Sequence, residues 1–258
     1  MLDFLHRPAT VRLRPKAKRL NRHTSLVLDG RRYGVAIHEN ARTRRMTLRL
    51  LQQSKGDDAF KVTVPPGTAL DEIDAFLARN ADWAREQIGA RPAAVVIEDG
   101  AVIPVRGCPT RIVHIAAGRG TTRLGATADG EAALFVHGEA AHVSRRVKDF
   151  LKREARRDLT AAVGRYATTL GVKPSSITIR DTVSRWGSCS TTGALNFSWR
   201  IVLAPPEVLD YLAAHEVAHL REMNHSDRFW AHVRDVMPDM EDHRRWLRAH
   251  GATLHAVS

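Results

Sequence analysis

The segment LNFSWRIVLAPPEVLDYLAAHEVAHLREMNH, residues 195–225, joins an alternating apolar run to a stretch with three histidines and a glutamate. From Leu195 to Leu203 every second residue is apolar, which predicts a strand with these side chains on one face. Pro205 and Pro206 suit the first turn of a helix, where a missing backbone N–H costs little. The segment therefore predicts a strand followed by a helix, with its first two histidines in the middle of that helix.

His215, Glu216 and His219 form an H-E-x-x-H pattern on this helix. One helical turn is about 3.6 residues, so both imidazoles project from the same face and can bind one metal ion. Glu216 lies beside them, where its carboxylate can act as a base towards a water held by the ion. The pattern can arise by chance in a chain with 13 histidines, and its position after an apolar strand strengthens the prediction.

His225 is the candidate third ligand, because a catalytic zinc usually has three protein ligands and one open position. It follows the expected end of the helix, where Asn224 can adopt the left-handed conformation that turns a chain. Asp239 or Glu241, from the helices that follow, would be the alternative third ligand. Imidazole ligands favour zinc without excluding other divalent ions.

The stretch RWGSCS, residues 185–190, has two interpretations that its residues leave open. It can be a turn between two strands with a packed Trp186. Alternatively, Arg185 or Ser188 borders the active cleft and contacts the substrate. Cys189 as a fourth ligand would close the metal site and make it structural.

Four stretches resemble the YgjP-like family of zinc metallopeptidases, also described as metal-dependent hydrolases and related to the SprT and WLM groups. They are RWGSCS (185–190), GALNFSWRIVLAPPEVLDYLAAHEVAHL (193–220), NHSDRFW (224–230) and MPDMEDHRRWL (237–247). The resemblance is strong over about 141–250 and looser over 25–140. Ser198 and Val217 depart from the family pattern, which has asparagine and leucine there.

The resemblance implies a site and an activity. His215, His219 and His225 would bind Zn²⁺, Glu216 would be the general base, and the substrate would be a peptide or protein. By analogy with zincins, an extended peptide would add as a strand to the exposed edge of the 195–203 strand.

The rest of the chain predicts an α+β protein. SLVLDGRRYGVAI reads as a hairpin around Asp29-Gly30, and apolar positions at three- and four-residue steps predict a long helix over about 141–170. We expect a flexible basic segment at 1–24, a β-rich part at 25–140 and a zincin-like catalytic domain at 141–258. In that domain the H-E-x-x-H helix would pack on an antiparallel or mixed sheet.

Charge and composition restrict the setting of the protein. The net charge is +12, and residues 1–50 hold 13 Lys and Arg against 3 Asp and Glu. Such a segment is either a solvated tail or a surface for nucleic acid, although residues 1–24 lack interleaved stacking aromatics. Two distant cysteines, no secretory signal and no long apolar run predict a reducing, cytoplasmic location without a membrane span.

Two alternative functions follow from the same residues, and the oligomeric state is not indicated by any of them. One is a metal-dependent nucleoside triphosphate pyrophosphatase, although no phosphate-binding G-x-x-x-x-G-K-[ST] loop is present. The other is a DNA-recruited protease of the SprT kind, with the basic segment 1–24 binding nucleic acid.

Overall fold

The computed structural model describes residues 22–51, 58–118, 120–182 and 185–258. The basic segment predicted at 1–24 lies outside the described residues except for 22–24, which belong to the first strand. The nucleic-acid surface predicted for this segment therefore falls almost entirely outside them as well. Within the described residues, no helix is long and apolar enough to cross a membrane.

The chain divides into two compact units, Met1–Gly89 and Ala90–Ser258. Each unit has its own cluster of buried apolar side chains. The boundary predicted at residue 140 falls inside the second unit. The mixture of helices with mixed sheets confirms the α+β class.

The first unit is a four-stranded sheet followed by two helices. Its elements are β1 (Arg22–Leu28), β2 (Arg31–Glu39), β3 (Thr47–Leu50), β4 (Asp58–Val64), α1 (Leu70–Arg79) and α2 (Ala81–Gly89). The sheet order is β1-β2-β4-β3. The predicted hairpin turn is present: Asp29 and Gly30 both have positive φ, as a two-residue hairpin loop requires.

The second unit begins with a second four-stranded sheet and a long helix. Its elements are β5 (Val102–Val105), β6 (Cys108–Ile115), β7 (Arg123–Ala126), β8 (Ala132–His137) and α3 (Val143–Leu170). The sheet order is β5-β6-β8-β7. The helix α3 buries side chains at three- and four-residue steps, and Gly171 ends it in the left-handed conformation with φ 62°.

A small three-stranded sheet precedes the histidine-bearing helix. It consists of β9 (Ser176–Arg180), β10 (Gly187–Cys189) and β11 (Ala194–Ser198), in the order β10-β11-β9. The pair β10–β11 is antiparallel and the pair β11–β9 is parallel. The RWGSCS stretch therefore supplies an edge strand, so its interpretation as a turn was wrong, but the predicted packing of Trp186 is confirmed.

The strand predicted over 195–203 is only half present. It stops at Ser198, and Trp199–Leu203 form a 3₁₀ helix. All five residues of this helix are buried, including Arg200, which donates to the Val257 carbonyl and to Asp181. A strand with one solvated face would not bury five consecutive side chains, and alternation over a short run does not separate these conformations.

Three helices complete the chain: α4 (Pro206–Ala218), α5 (Asp227–Val236) and α6 (Met240–His255). Pro206 is the first residue of α4, as predicted. Ser226 caps α5, because its side chain accepts a hydrogen bond from the Phe229 amide. The helix α4 ends earlier than the sequence predicted. His215 and Glu216 therefore lie in its last turn, and the mid-helix position was wrong.

Candidate metal centre and catalytic site

The three predicted histidines come together at the end of α4. One ring nitrogen from each of His215, His219 and His225 lies within 4.8 Å of the other two. The Nε2 atoms of His215 and His225 are 3.1 Å apart. Among the described residues, this is the group of potential ligands that could hold a metal ion.

A tight turn after α4 returns the chain towards His215. His219 is the C-cap residue, with right-handed helical backbone. The amides of Arg221 and Glu222 both bond to the Ala218 carbonyl, at 3.0 and 3.1 Å. His219 Nδ1 lies 3.1 Å from the Glu222 carbonyl oxygen, so as an N–H it donates there and leaves Nε2 free for an ion.

The chain reaches His225 without the left-handed residue that the sequence predicted. Among the described residues other than glycine, only Asp29 and Arg106 have positive φ. Asn224 instead accepts a hydrogen bond from the Ser226 amide through its side-chain oxygen, at 2.9 Å. This local bond turns the chain into the start of α5.

Aromatic rings from α5 pack against all three imidazoles. The Phe229 ring is fully buried, stacks on His219 at 4.4 Å and lies 4.8 to 4.9 Å from His215 and His225. Trp230 lies 5.6 to 5.7 Å from His215 and His225. The sequence analysis missed this role of Phe229 and Trp230. The signal was available, because two large aromatics follow His225 at the start of a capped helix.

Burial favours the neutral forms of the His215 and His219 imidazoles. Burial, together with the neighbouring His219 and His225, lowers the pKa of His215 to about 3. Burial also lowers the pKa of His219. A neutral imidazole has a free lone pair, and only this form binds a metal ion.

Glu216 lies next to this group on α4 and is 4% exposed. Its Oε2 atom is buried and has no hydrogen-bond partner among the described residues. Burial raises the pKa of the Glu216 carboxyl to about 8, and the charge of Arg185 opposes this shift. A buried carboxyl without a partner is costly, so its retention points to a ligand or water at this position.

The strand β10 packs directly against Glu216. A Cβ atom built on Gly187 would lie 2.7 Å from the Cδ and Cγ atoms of Glu216, closer than real Cβ contacts. Only a glycine therefore allows this approach. Sequence reasoning did not single out Gly187, because the contact joins residues far apart in the chain.

Arg185 and Ser188 do not belong to the histidine group. Together with Gly187 they line a cavity of about 410 Å³ on the β10-β11-β9 sheet. Gly187 thus borders both the cavity and the Glu216 carboxylate.

The alternative ligands have other partners. Asp239 lies 3.1 Å from Nε2 of His243, and Glu241 accepts from Arg244 at 3.0 Å. The Cys189 thiol donates to the Ser190 carbonyl at 3.4 Å. None of these three residues belongs to the group of converging ligand atoms.

The donor set suits a catalytic metal ion. Three imidazole nitrogens with a carboxyl group close by are the groups that hydrolytic zinc sites use, and three protein ligands leave one position open. A second-sphere hydrogen bond such as the one from His219 to the Glu222 carbonyl is also typical of these sites.

The YgjP-like metallopeptidase domain family matches residues 47–250, so the chain belongs to that family. It is therefore a metallopeptidase, a hydrolase of a family that implies a metal ion, typically zinc. No match was found among curated proteins.

Two solved structures are similar to part of the chain. One is the crystal structure of the metallopeptidase zymogen abylysin of Pyrococcus abyssi, at 21% identity and a TM-score of 0.33. The other is that of the zymogen jannalysin of Methanocaldococcus jannaschii, at 20% identity and a TM-score of 0.32. Each alignment covers 35% of this chain, with 93% of abylysin and 94% of jannalysin.

Proposed function

We propose that this metallopeptidase uses His215, His219 and His225 to hold a zinc ion and Glu216 as its general base. The observation that supports this best is that three imidazole nitrogens converge beside the buried Glu216 carboxyl, whose Oε2 atom has no hydrogen-bond partner among the described residues. When bound, zinc supplies a Lewis acid that polarises the scissile carbonyl and lowers the pKa of a water towards about 7.

The protein residues orient the reacting groups. The hydrogen bond to the Glu222 carbonyl fixes the tautomer of His219, and Phe229 packs against all three rings. Glu216 accepts a proton from the attacking water through its free Oε2 atom and returns that proton to the leaving amine. The same carboxylate is held against β10 at Gly187, which fixes its distance from the substrate strand.

The substrate peptide pairs with β10 in this proposal. The sequence analysis assigned this role to the edge of the 195–203 strand, but β11 is the middle strand of its sheet and has no free edge. The strand β10 is at the edge of that sheet and contacts α4. Backbone hydrogen bonds to its free side would hold an extended peptide next to Glu216.

Replacing Glu216 with glutamine tests the assignment of the base. The Glu216→Gln variant keeps the shape of the side chain but cannot accept a proton. We expect one zinc per chain by elemental analysis and a fall in peptide turnover of at least about 100-fold.

Glu207→Gln is the matched control, because Glu207 is an exposed residue in the first turn of the same helix. This control should keep the wild-type turnover. Wild-type activity in Glu216→Gln at full zinc content would show that another group is the base.

A further inference from the structure

The cavity on the small sheet is basic and has no acidic lining residue. It has a volume of about 410 Å³ and lies over β9, β10 and β11. Its lining residues are Arg180, Thr182, Arg185, Gly187, Ser188, Asn196 and Phe197. The two charged residues are both arginines, and Thr182, Ser188 and Asn196 add hydrogen-bonding groups.

The charge of Arg185 acts on the Glu216 carboxyl, but not through an ion pair. Within the described parts of the chain, neither guanidinium forms an ion pair with a carboxylate; Asp181, which lies next to Arg180 in the sequence, pairs with Arg200. Arg180 Nε lies 3.5 Å from the Asn196 side-chain oxygen. Two guanidinium groups without an ion pair among the described residues favour a carboxylate or phosphate at this concave surface, because each can bind such an anion through paired N–H donors.

The loop that carries Arg185 is closed by a hydrogen bond, in which the Thr182 hydroxyl donates to the Arg185 carbonyl at 2.8 Å. This bond holds the backbone of Arg185 close to the end of β9. Both arginines are therefore anchored to the same small sheet that supplies the edge strand.

The strand register places the cavity where an added peptide would present side chains. Ser188 lies opposite Asn196, on the face opposite to the buried Leu195 and Phe197 side chains. A peptide paired with the free edge of β10 also alternates its side chains between the two faces. Every second side chain of such a peptide would project on the face that carries the cavity.

We propose that the arginine-lined cavity binds a carboxylate of the peptide substrate, so that the enzyme selects acidic peptides. This inference rests on the proposed peptidase function. The carboxylate comes either from an Asp or Glu side chain near the scissile bond or from the C-terminus of a short substrate. Both sources present the same two oxygens to Arg180 and Arg185.

Matched peptides test the inference. A quenched-fluorescence peptide library first identifies a cleavable sequence for the zinc-loaded wild-type enzyme. That sequence is then made with Glu or Gln at each position in turn, and with a free or an amidated C-terminus. We expect one acidic group to raise kcat/KM by about 10- to 100-fold over its amide counterpart, as a charged hydrogen bond would.

Binding is measured separately from turnover. The dissociation constants of the same peptides are determined with zinc-loaded Glu216→Gln, which does not consume them. The acidic peptide should bind more tightly than its amide, and Arg180→Gln with Arg185→Gln should remove the difference. Arg145→Gln is the control, because Arg145 is an exposed arginine of α3 that does not line the cavity.

The outcomes distinguish a failure of the carboxylate inference from a failure of the proposed peptidase function. If no library peptide is cleaved, the proposed function is wrong. If peptides are cleaved with equal kcat/KM for acid and amide forms, the function stands and the carboxylate inference is wrong. A preference that persists in the double variant would place its determinant elsewhere. Pyrophosphate release from UTP that needs both arginines would assign the cavity to a triphosphate instead and overturn the inference.

Discussion

Gly187 and Glu216 make a contact that leaves no room for a side chain between β10 and α4. A methyl group at residue 187 would overlap the Glu216 carboxylate, which is the flexible end of a side chain and can swing away. We therefore expect Gly187→Ala to keep its fold and its zinc but to lose about 100-fold in turnover, since misplacing a catalytic group by about 1 Å has such an effect.

Gly164→Ala is the control for this prediction. Gly164 is an exposed residue of α3, and a Cβ atom built on it meets no atom within 4 Å. Its replacement by alanine should leave turnover unchanged and slightly raise the melting temperature. If Gly187→Ala turns over peptide at the wild-type rate, the position of the Glu216 carboxylate is not critical for the reaction.

Replacing His225 tests which residues bind the metal ion. It lies beyond both α4 and the C-cap residue His219, and its Nε2 atom is 3.1 Å from that of His215. We expect His225→Ala to weaken zinc binding by at least about 100-fold, because even indirect partners of a ligand have effects of this size. The zinc content after dialysis against a weak chelator measures this loss of binding.

His250→Ala is the matched control, because the exposed His250 stacks on Trp246 and is not part of the histidine group. Equal zinc retention in both variants would mean that Asp239 or Glu241, and not His225, is the third ligand of the zinc ion.

Spacing predicted the four residues of the candidate site, but not their surroundings. His215, Glu216 and His219 follow from one helical turn, and His225 from its position after the helix. The roles of Gly187 and Phe229 depend on how separate elements pack, and a single sequence carries no direct signal for such contacts. The conformation of Asn224 was wrong because a side-chain hydrogen bond turned the chain without positive φ.

At the scale of elements, the helix α6 holds β10 in place through a stacked pair. The His255 ring stacks on Trp186 with centroids 4.1 Å apart, and His255 is only 7% exposed. The sequence carries no signal for this contact, because it joins residues far apart in the chain. Trp186 immediately precedes β10, so this stack fixes the start of the strand against α6.

The burial of His255 predicts a loss of stability in acid. Burial, reinforced by Arg200, lowers the pKa of His255 to about 4 from its ordinary value of 6.5, and Asp181 opposes this. The unfolded chain therefore takes up a proton below pH 6.5, while the folded chain does not until about pH 4. The contribution to stability is complete above pH 6.5 and falls by on the order of 3 kcal/mol by pH 4.

His255→Phe isolates this contribution. Phenylalanine can keep the stack on Trp186 but does not titrate. The difference in unfolding free energy between pH 7 and pH 4 is measured with urea. It should be smaller in this variant than in the wild type by on the order of 3 kcal/mol. Equal differences in both proteins would mean that His255 is protonated in the folded state.

Most elements were predictable, and the errors occurred where buried contacts override a local pattern. The hairpin at Asp29-Gly30, the stop of α3 at Gly171 and the cap at Ser226 follow from local backbone rules. The 3₁₀ helix Trp199–Leu203 does not, because its alternating apolar residues match a strand equally well. Burial of Arg200 against the Val257 carbonyl decides its conformation, and Val257 lies far along the chain.

At the scale of the whole molecule, the two units have separate cores. Among the described residues, the buried core side chains of Ala90–Ser258 lie between Ile97 and Val257, and those of the first unit lie between Leu26 and Ala84. We therefore expect a fragment of residues 90–258 to unfold in one cooperative thermal transition and to bind one zinc. Circular dichroism and elemental analysis measure both. A fragment without a cooperative transition would show that the first unit is needed for folding.

The shortness of β10 has a consequence for what this peptidase can attack. Its three residues offer about 10 Å of free edge, enough to align about three residues of an extended chain. Native proteins present such unpaired stretches at termini, at loop tips and after local unfolding, and they keep most backbone groups paired. If β10 binds the substrate as proposed, this geometry would select substrates by their conformation before their sequence matters. Well-folded neighbours would be spared, and damaged or unfinished chains would be degraded.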